Sequence, residues 1–401
     1  MRNVPHRILK FNKDRNPQMV VLKYAAMREN VFRFYRGTAH LFFEDLPKRI
    51  SISDSTRVWV SGDLHLENFG TYKSSNRQIY FDINDFDEAA LAPCTWELAR
   101  VMTAIYVAGA GLGFKEKDCS TVSRIFLESF IRNLSIGKAT MTERETAKGI
   151  VKNLFEKLQS RKRKEFLEER VVRSNGKFKL RIDGVKTMRL NAKKKNELIR
   201  FFRKKKITRD DKSFQVVDVA HRIVGTGSLG IERYVLLACE EKDSGKLHLF
   251  DLKEALPSSV KPPRHIEQPK WKDEASRITQ IQHRMQSVSP ASLSALRIGK
   301  KSFVLKALQP SNDRVNLESC RGKINKLADL ATTLGEVTAS SYLRSSGRQG
   351  SSIADELISF AAETSWKKGL MEFARQYSKQ VAEDYQEYAV KFDEGFFGKK
   401  R

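Results

Sequence analysis

Apolar residues recur at helical spacing over much of this chain and gather into strand-like runs in only a few places. Val20, Val21, Tyr24, Met27, Val31 and Phe34, with Leu41 to Phe43 beyond them, predict a helix over residues 17–46. Trp96 to Arg100 opens a second, which runs through Val101, Ile105 and Val107 to Gly109. Val122, Ile125, Phe126 and Phe130 form the stripe of a third, over about 118–135. Residues 321–396 read as helical, with Leu327, Leu330, Leu334, Val337 and Tyr342 on one stripe. Strand character is local. Val58 to Val60 and Gln78 to Phe81 read as the two strands of a hairpin, and Phe178 to Ile182 is a short β-prone piece. From residue 214 the chain changes character. Phe214 to Val219, Arg233 to Cys239 and Lys246 to Lys253 are β runs, a helix follows over Asp273 to Gln286, and Ser302 to Leu308 is a further strand. The expected class is therefore α+β. Residues 1–140 begin a helical lobe, 141–210 are a basic helical insertion, 211–312 are a small β-rich lobe, and 313–401 are helices that complete the large lobe.

Composition narrows the class. The 401 residues suffice for two lobes with a sizeable core, and 40% hydrophobic with 30% charged residues predicts a folded, soluble protein. No run of about 18 apolar residues occurs, so no membrane span is expected. The first 16 residues are basic and polar, without a signal-type apolar core, which makes the cytoplasm the expected location. Four scattered cysteines (Cys94, Cys119, Cys239, Cys320) contain no C-x-x-C pair and suggest buried, reduced thiols rather than a zinc site. The formal charge of +26 is the outlier. Much of it lies in runs at Arg161 to Lys164, Lys193 to Lys195 and Arg203 to Lys206. Such runs are either solvated helix faces or an attraction for an anionic partner: nucleic acid, an acidic membrane or a phosphorylated substrate. Aromatic interleaving there is sparse (Phe201, Phe202) and does not favour base stacking as the main activity.

The densest chemistry lies between Trp59 and Glu88, in WVSGDLHLENFGTYKSSNRQIYFDINDFDE. Asp63, His65 and Asn68 fall within six residues, and Asp82, Asp85, Asp87 and Glu88 follow the second apolar run. Clustered carboxylates and an amide repel one another unless a cation sits among them, and hard oxygen ligands suit Mg²⁺.

The spacing D-x-x-x-x-N from Asp63 to Asn68, followed after a strand by Asp85-Phe86-Asp87, resembles the catalytic and metal-binding loops of the protein-kinase superfold. The form Gly-Asp-x-His-x-x-Asn is closer to the aminoglycoside phosphotransferase branch. The fuller string Gly-Asp-Leu-His-Leu-Glu-Asn-Phe-Gly, with Asn-Asp-Phe-Asp-Glu after it, resembles a bacterial family of unknown function usually placed near those phosphotransferases. Phe32 to Ala39 and Val224 to Gly230 also fit that family, over roughly residues 20–390. The resemblance implies ATP and Mg²⁺ as cofactors and a hydroxyl acceptor that the sequence does not identify. Asp63 would be the catalytic base, with His65 beside it orienting the loop. Asn68 and Asp85 would hold the metal, with Asp87 and Asp82 as rivals. The bend Gly225, Gly227, Ser228, Gly230 between strands would cover the phosphates, and Lys253 would meet them as a point charge. Glu274 on the following helix would partner Lys253, with Glu254 as its rival. Arg33 and Arg36, three apart on a helix, either stay on the surface or brace the acidic loop. In kinases the glycine bend and lysine precede the catalytic loop, whereas here they follow it. The expected fold is thus kinase-like, two-lobed and circularly permuted.

Two other classes compete. Asp63-x-His65 also resembles the D-x-H of two-metal phosphoesterases, but the seven histidines are dispersed. A catalytically weak or inactive kinase-like protein that binds RNA or an anionic membrane is the other.

Overall fold

Polar caps divide the apolar stripe over residues 17–46 into short helices. In the computed structural model, which describes residues 3–49, 55–209, 212–310 and 313–398, the chain opens with α1 (Val4–Asn12), α2 (Pro17–Arg28), α3 (Val31–Gly37) and α4 (Ala39–Arg49). The Asn16 and Asn30 side chains accept from the amides of Met19 and Arg33 and so start α2 and α3.

The acidic stretch forms two ribbons rather than one hairpin. β1 (Arg57–Val60) pairs antiparallel with β4 (Ala90–Pro93), and β2 (Phe69–Lys73) pairs with β3 (Ile79–Ile83). The expected pairing of residues 58–60 with 78–81 is corrected. The run Val58 to Val60 is buried and finds an equally buried partner in Ala90 to Pro93. β3 instead pairs with β2 across the short polar turn at 74–78, which local closure favours.

α5 (Cys94–Gly111) is buried from Cys94 to Gly109, and α6 (Glu116–Ser135) packs beside it. The expected basic insertion contains more than helices. It holds α7 (Gly149–Ser160), α8 (Arg163–Glu168), the hairpin β5 (Val171–Ser174) and β6 (Lys177–Leu180), then β7 (Thr187–Met188), α9 (Ala192–Lys204) and β8 (Ile207–Arg209). α7 packs on β2, β3 and a C-terminal helix, whereas α9 packs on the sheet that follows. That sheet takes β9 (Lys212–Arg222), β10 (Arg233–Glu240), β11 (Asp243–Glu254), then, after α10 (Glu274–Met285), β12 (Ser294–Ile298) and β13 (Lys301–Ala307). Its antiparallel order is β12-β13-β11-β10-β9-β7, with β8 also on β9. The chain ends in α11 (Ile324–Ser345), α12 (Ala354–Ala362) and α13 (Ser365–Asp393); α11 packs on α6 and α13 on α5.

Strand alternation gives the sheet two faces. On one, Tyr234, Leu236, Leu252 and Phe303 form a core with Leu198 and Phe202 of α9. The other is divided along its length. Val235, Leu237, Cys239 and Leu249 are covered by Phe166, Leu167 and Phe178 of the α8–β6 segment. Beyond them the same face turns polar, and Arg233, Lys253 and Lys306 look toward the acidic loops. The basic runs are partly consumed internally. Lys194 pairs with Glu232 at 3.4 Å, Lys195 with Asp218 at 2.5 Å and Lys206 with Glu241 at 2.7 Å. Arg161 pairs with buried Asp313, and Phe202 is in the core rather than free for base stacking. All four cysteines are buried and none forms a disulfide.

Candidate functional site

The chain leaves β1 through Ser61-Gly62, a turn built around one buried carboxylate. Glu97 of α5 accepts from Ser61 Oγ (2.6 Å), the Gly62 amide (2.9 Å) and the Tyr342 hydroxyl (3.0 Å). Burial pushes the Glu97 carboxyl pKa up despite these donors. Gly62 has φ 90°, and any Cβ there would strike the Glu88 carbonyl, so only glycine fits.

Asp63 follows, its side chain 21% exposed. Its Oδ1 accepts from Arg100 Nε at 3.1 Å and Nη2 at 2.7 Å. Arg100 is wholly buried, lies 3.5 Å above the Tyr35 ring and also donates to the Tyr35 carbonyl at 2.9 Å. Burial raises the Asp63 carboxyl to about 6, against the opposing pull of Arg100. The carboxylate is thereby held in one orientation, with a basicity above that of a free aspartate. Arg100→Met should destabilise the fold by about 3 kcal/mol, since removing one partner strands the other. Urea unfolding of the variant measures this, and a stability equal to wild type would contradict it.

His65 has a guanidinium beside one ring nitrogen and a backbone amide beside the other, and the neutral ring accepts from one of them. Its Nε2 faces Arg36 Nε at 3.1 Å, and its Nδ1 faces the Glu67 amide at 3.2 Å. Burial, then Arg36 and Arg100, hold its pKa well below the usual value, so the ring is neutral. A neutral imidazole braced in this way positions the loop and is a poor proton carrier. Arg36 also ion-pairs with Glu67, whereas Arg33 pairs with Glu29 at 2.7 Å on the surface. Of the two arginines, Arg36 is the brace. Asn68 Nδ2 donates to the Asp63 carbonyl at 2.5 Å, which leaves its side-chain oxygen as the atom free for a ligand.

Among the carboxylates in and after β3, the structure separates the rivals. Asp82 is buried away from the cavity, paired with Arg344 at 3.1 Å and accepting from the Ser287 amide at 3.0 Å. Asp85 and Asp87 face Lys253 of β11. The Lys253 ammonium lies 3.6 Å from Asp85 Oδ1 and closer still to Asp87. Burial pushes the Asp85 carboxyl up, but Lys253, Lys306 and Arg233 outweigh it and hold the pKa at about 2. Burial and the neighbouring Asp85 charge push Asp87 up.

Glu274 is a correction. It does not reach Lys253; its Oε2 accepts from Arg277 Nε at 2.6 Å, one helical turn on, and that nearer cation satisfies it. Glu254 points the other way along its strand, to the Glu232 amide at 3.0 Å and to Lys301 at 2.9 Å. Glu274→Gln should therefore leave ligand affinity and turnover within about twofold of wild type, as expected for a surface substitution. A loss of an order of magnitude in either would restore the lysine-partner role.

Gly225, Thr226, Gly227 and Ser228 line the same cavity of about 90 Å³ as Asp63, Asn68, Asp85 and Lys253. Gly230, the fourth expected member, lies outside that lining. With φ 94° it packs against Val20 and Arg15, and its carbonyl accepts from the Asn16 amide at 2.8 Å. Its role is anchorage. Arg15 Nη1 donates to the carbonyls of Gly227 (2.6 Å) and Leu229 (3.0 Å) and pins the bend from outside.

The cavity holds six charged residues that the sequence motifs do not reveal: Arg222, Arg233, Asp251, Lys306, Arg314 and Asp313, the last paired with Arg161. Asp251 pairs with Arg222 at 2.7 Å and with Arg233 at 2.6 Å, and these arginines override burial to hold it far below the usual carboxylate range. Lys306 stands opposite Asp251 in the β11–β13 register, and burial lowers its pKa to about 8. Burial, then Arg36 and Arg233, lower Arg314 to about 10. Among the described residues Arg314 has no hydrogen bond or ion pair from its side chain. Asn84, also in the lining, has a buried Oδ1 without a partner. The alternation Asp251-x-Lys253 was the available signal, but the strand register is needed to bring Arg233 and Lys306 beside it.

The arrangement gathers cations around a small polar space, which suits a polyphosphate. Among the described residues no group of three or more His, Cys, Asp or Glu side chains forms a metal cage. Mg²⁺ is usually held by one or two carboxylates together with phosphate oxygens and water. A carboxylate pair that already draws an ammonium, in a cavity also lined by Asn68, fits that donor set.

Fold and site thus define a mixed α+β protein with a cation-rich cavity between an antiparallel sheet and two acidic loops on a helical layer. The chain belongs to a bacterial family described as "Uncharacterized protein conserved in bacteria (DUF2252)", whose model matches residues 15–391. Neither curated proteins nor solved structures give a match. No helix among the described residues is long and apolar enough to cross a membrane.

Proposed function

We propose that this protein is an ATP- and Mg²⁺-dependent phosphotransferase acting on a hydroxyl acceptor, on a kinase-like two-lobe plan with its halves in permuted order. One observation carries the proposal. Lys253, on the second strand after the glycine bend, meets Asp85 and Asp87 in the cavity that also holds Asp63 and Asn68. Two segments far apart in the chain supply complementary halves of one phosphoryl-transfer site.

Each residue has a task in that chemistry. Asp63, fixed by Arg100, takes the proton of the acceptor hydroxyl. Asn68 and Asp85 would hold Mg²⁺, which when bound supplies charge neutralisation on the phosphate oxygens. Lys253, Lys306 and Arg233 add positive charge along the same phosphates, aimed by the sheet before any ligand arrives. His65, neutral and wedged against Arg36, keeps the loop from Asp63 to Asn68 in register.

Purified protein incubated with γ-labelled ATP and Mg²⁺ in cell extract tests the proposal. Label on an acceptor, lost in Asp63→Asn, is the expected result. Bare release of phosphate would favour the phosphoesterase alternative. Lack of any ATP-dependent labelling or hydrolysis would favour an inactive polyanion-binding protein.

A further inference from the structure

We propose that the nucleotide lays its base and sugar in the wide cavity beyond Arg36 and Arg314, not beneath the apolar end of the sheet. This placement rests on the phosphotransferase proposal and adds the position of the nucleoside to it.

Space decides the matter first. The catalytic cavity, about 90 Å³, falls well short of the roughly 300 Å³ at which small-molecule pockets begin, enough for phosphate groups and too little for a nucleoside. The apolar end of the polar sheet face is closed by the chain itself, where Phe166, Leu167 and Phe178 pack onto Val235, Leu237 and Leu249. A much larger cavity, about 1180 Å³, adjoins the catalytic one. The two share Arg36, Gly225, Thr226 and Arg314 in their linings, so the glycine bend and two guanidinium groups form the neck between them.

Chemistry agrees with space. Beyond the neck, Phe32, Tyr106, Phe114 and Val315 line the wide cavity and offer flat and aliphatic surface to a base. Arg314 lines the neck with no ion pair among the described residues; Arg36 shares the neck, Arg233 lies in the small cavity, and Asp85 and Glu67 offset their repulsion only in part. An anion at an unpartnered guanidinium relieves that repulsion, and a polyphosphate threading the neck would supply it. The base would then lie on one side of Arg314 and the terminal phosphate on the other, near Asp63 and Lys253.

Two helix positions on the wall of the wide cavity allow a test outside the catalytic set. Ala110 on α5 and Ala382 on α13 are both exposed and both line it. In calorimetric titrations with Mg²⁺, Ala110→Trp or Ala382→Trp should weaken ATP by about tenfold by filling the cavity. Tripolyphosphate, which needs only the neck and the catalytic cavity, should bind both variants as it binds wild type. Photolabelling of wild type with 8-azido-ATP should modify peptides from residues 30–36, 106–114 or 314–318. Unchanged ATP affinity in both variants, or label confined to residues 163–182, would overturn the placement and leave the phosphotransferase proposal standing. Failure of wild type to bind either ATP or tripolyphosphate would overturn both.

Discussion

Asp63→Asn is expected to lower phosphoryl transfer by about 10²–10⁴-fold while Mg-ATP affinity stays near wild type, the usual cost of losing a positioned base. The contrast follows from geometry. Asp63 shares the cavity with Lys253, but Lys253 pairs with Asp85 and Asp87 whereas the ion-pair partner of Asp63 is Arg100, 2.7 Å away on the helical side. The amide retains a carbonyl oxygen to accept from Arg100, so the side chain keeps its place and loses its basicity. A melting temperature close to wild type would establish that the fold survives. Transfer at the wild-type rate would remove Asp63 from the chemistry, and an equal loss of nucleotide affinity would move it to the nucleotide.

The second large effect concerns the cation that joins the two halves. Lys253→Met is expected to reduce kcat/KM by about 10²–10³-fold, the scale seen when one preorganised electrostatic contact is lost. It should also destabilise the empty protein, because Asp85 and Asp87 would lose the ammonium they contact and keep only Lys306 and Arg233 to offset their charge. The Lys253 side chain is 9% exposed, but those of Asp85 and Asp87 keep 40% and 33% exposure. The loss therefore belongs at the low end of the ~3–5 kcal/mol typical of a broken buried pair. Mg²⁺ should raise the melting temperature of the variant more than that of wild type, since the metal replaces the missing charge between the carboxylates. An identical Mg²⁺ response in the two proteins would mean that the carboxylate pair does not gather a metal.

Much of the local structure is legible in the sequence. The β run Arg233 to Cys239 is β10 within one residue, and the helix placed over Asp273 to Gln286 is α10. The junction of Lys253 with Asp85 and Asp87 follows from motif chemistry, because glycine bend, lysine and D-x-x-x-x-N each carry a distinct residue requirement. Pairing was harder. β4, Ala90–Pro93, has little β-branched or aromatic character, so nothing local marks it as the partner of β1. Glu274 illustrates a different limit: position on the right helix does not tell which way a carboxylate turns when Arg277 lies one turn away. Arg222, Arg233, Asp251 and Lys306 become a cluster only through the register of β9, β10, β11 and β13. Arg314 sits in a connecting segment after β13, where no periodicity points to it.

Crystals grown with Mn²⁺ and a non-hydrolysable ATP analogue test most directly whether the two distant segments form one nucleotide site. Anomalous density for the metal is expected against Asn68 and Asp85, with the phosphates beneath Gly225 to Ser228 and Lys253 drawn from the carboxylates onto them. Metal or nucleotide bound elsewhere, with Lys253 still seated between Asp85 and Asp87, would contradict a shared site and leave the acidic loops and the glycine bend as unrelated features.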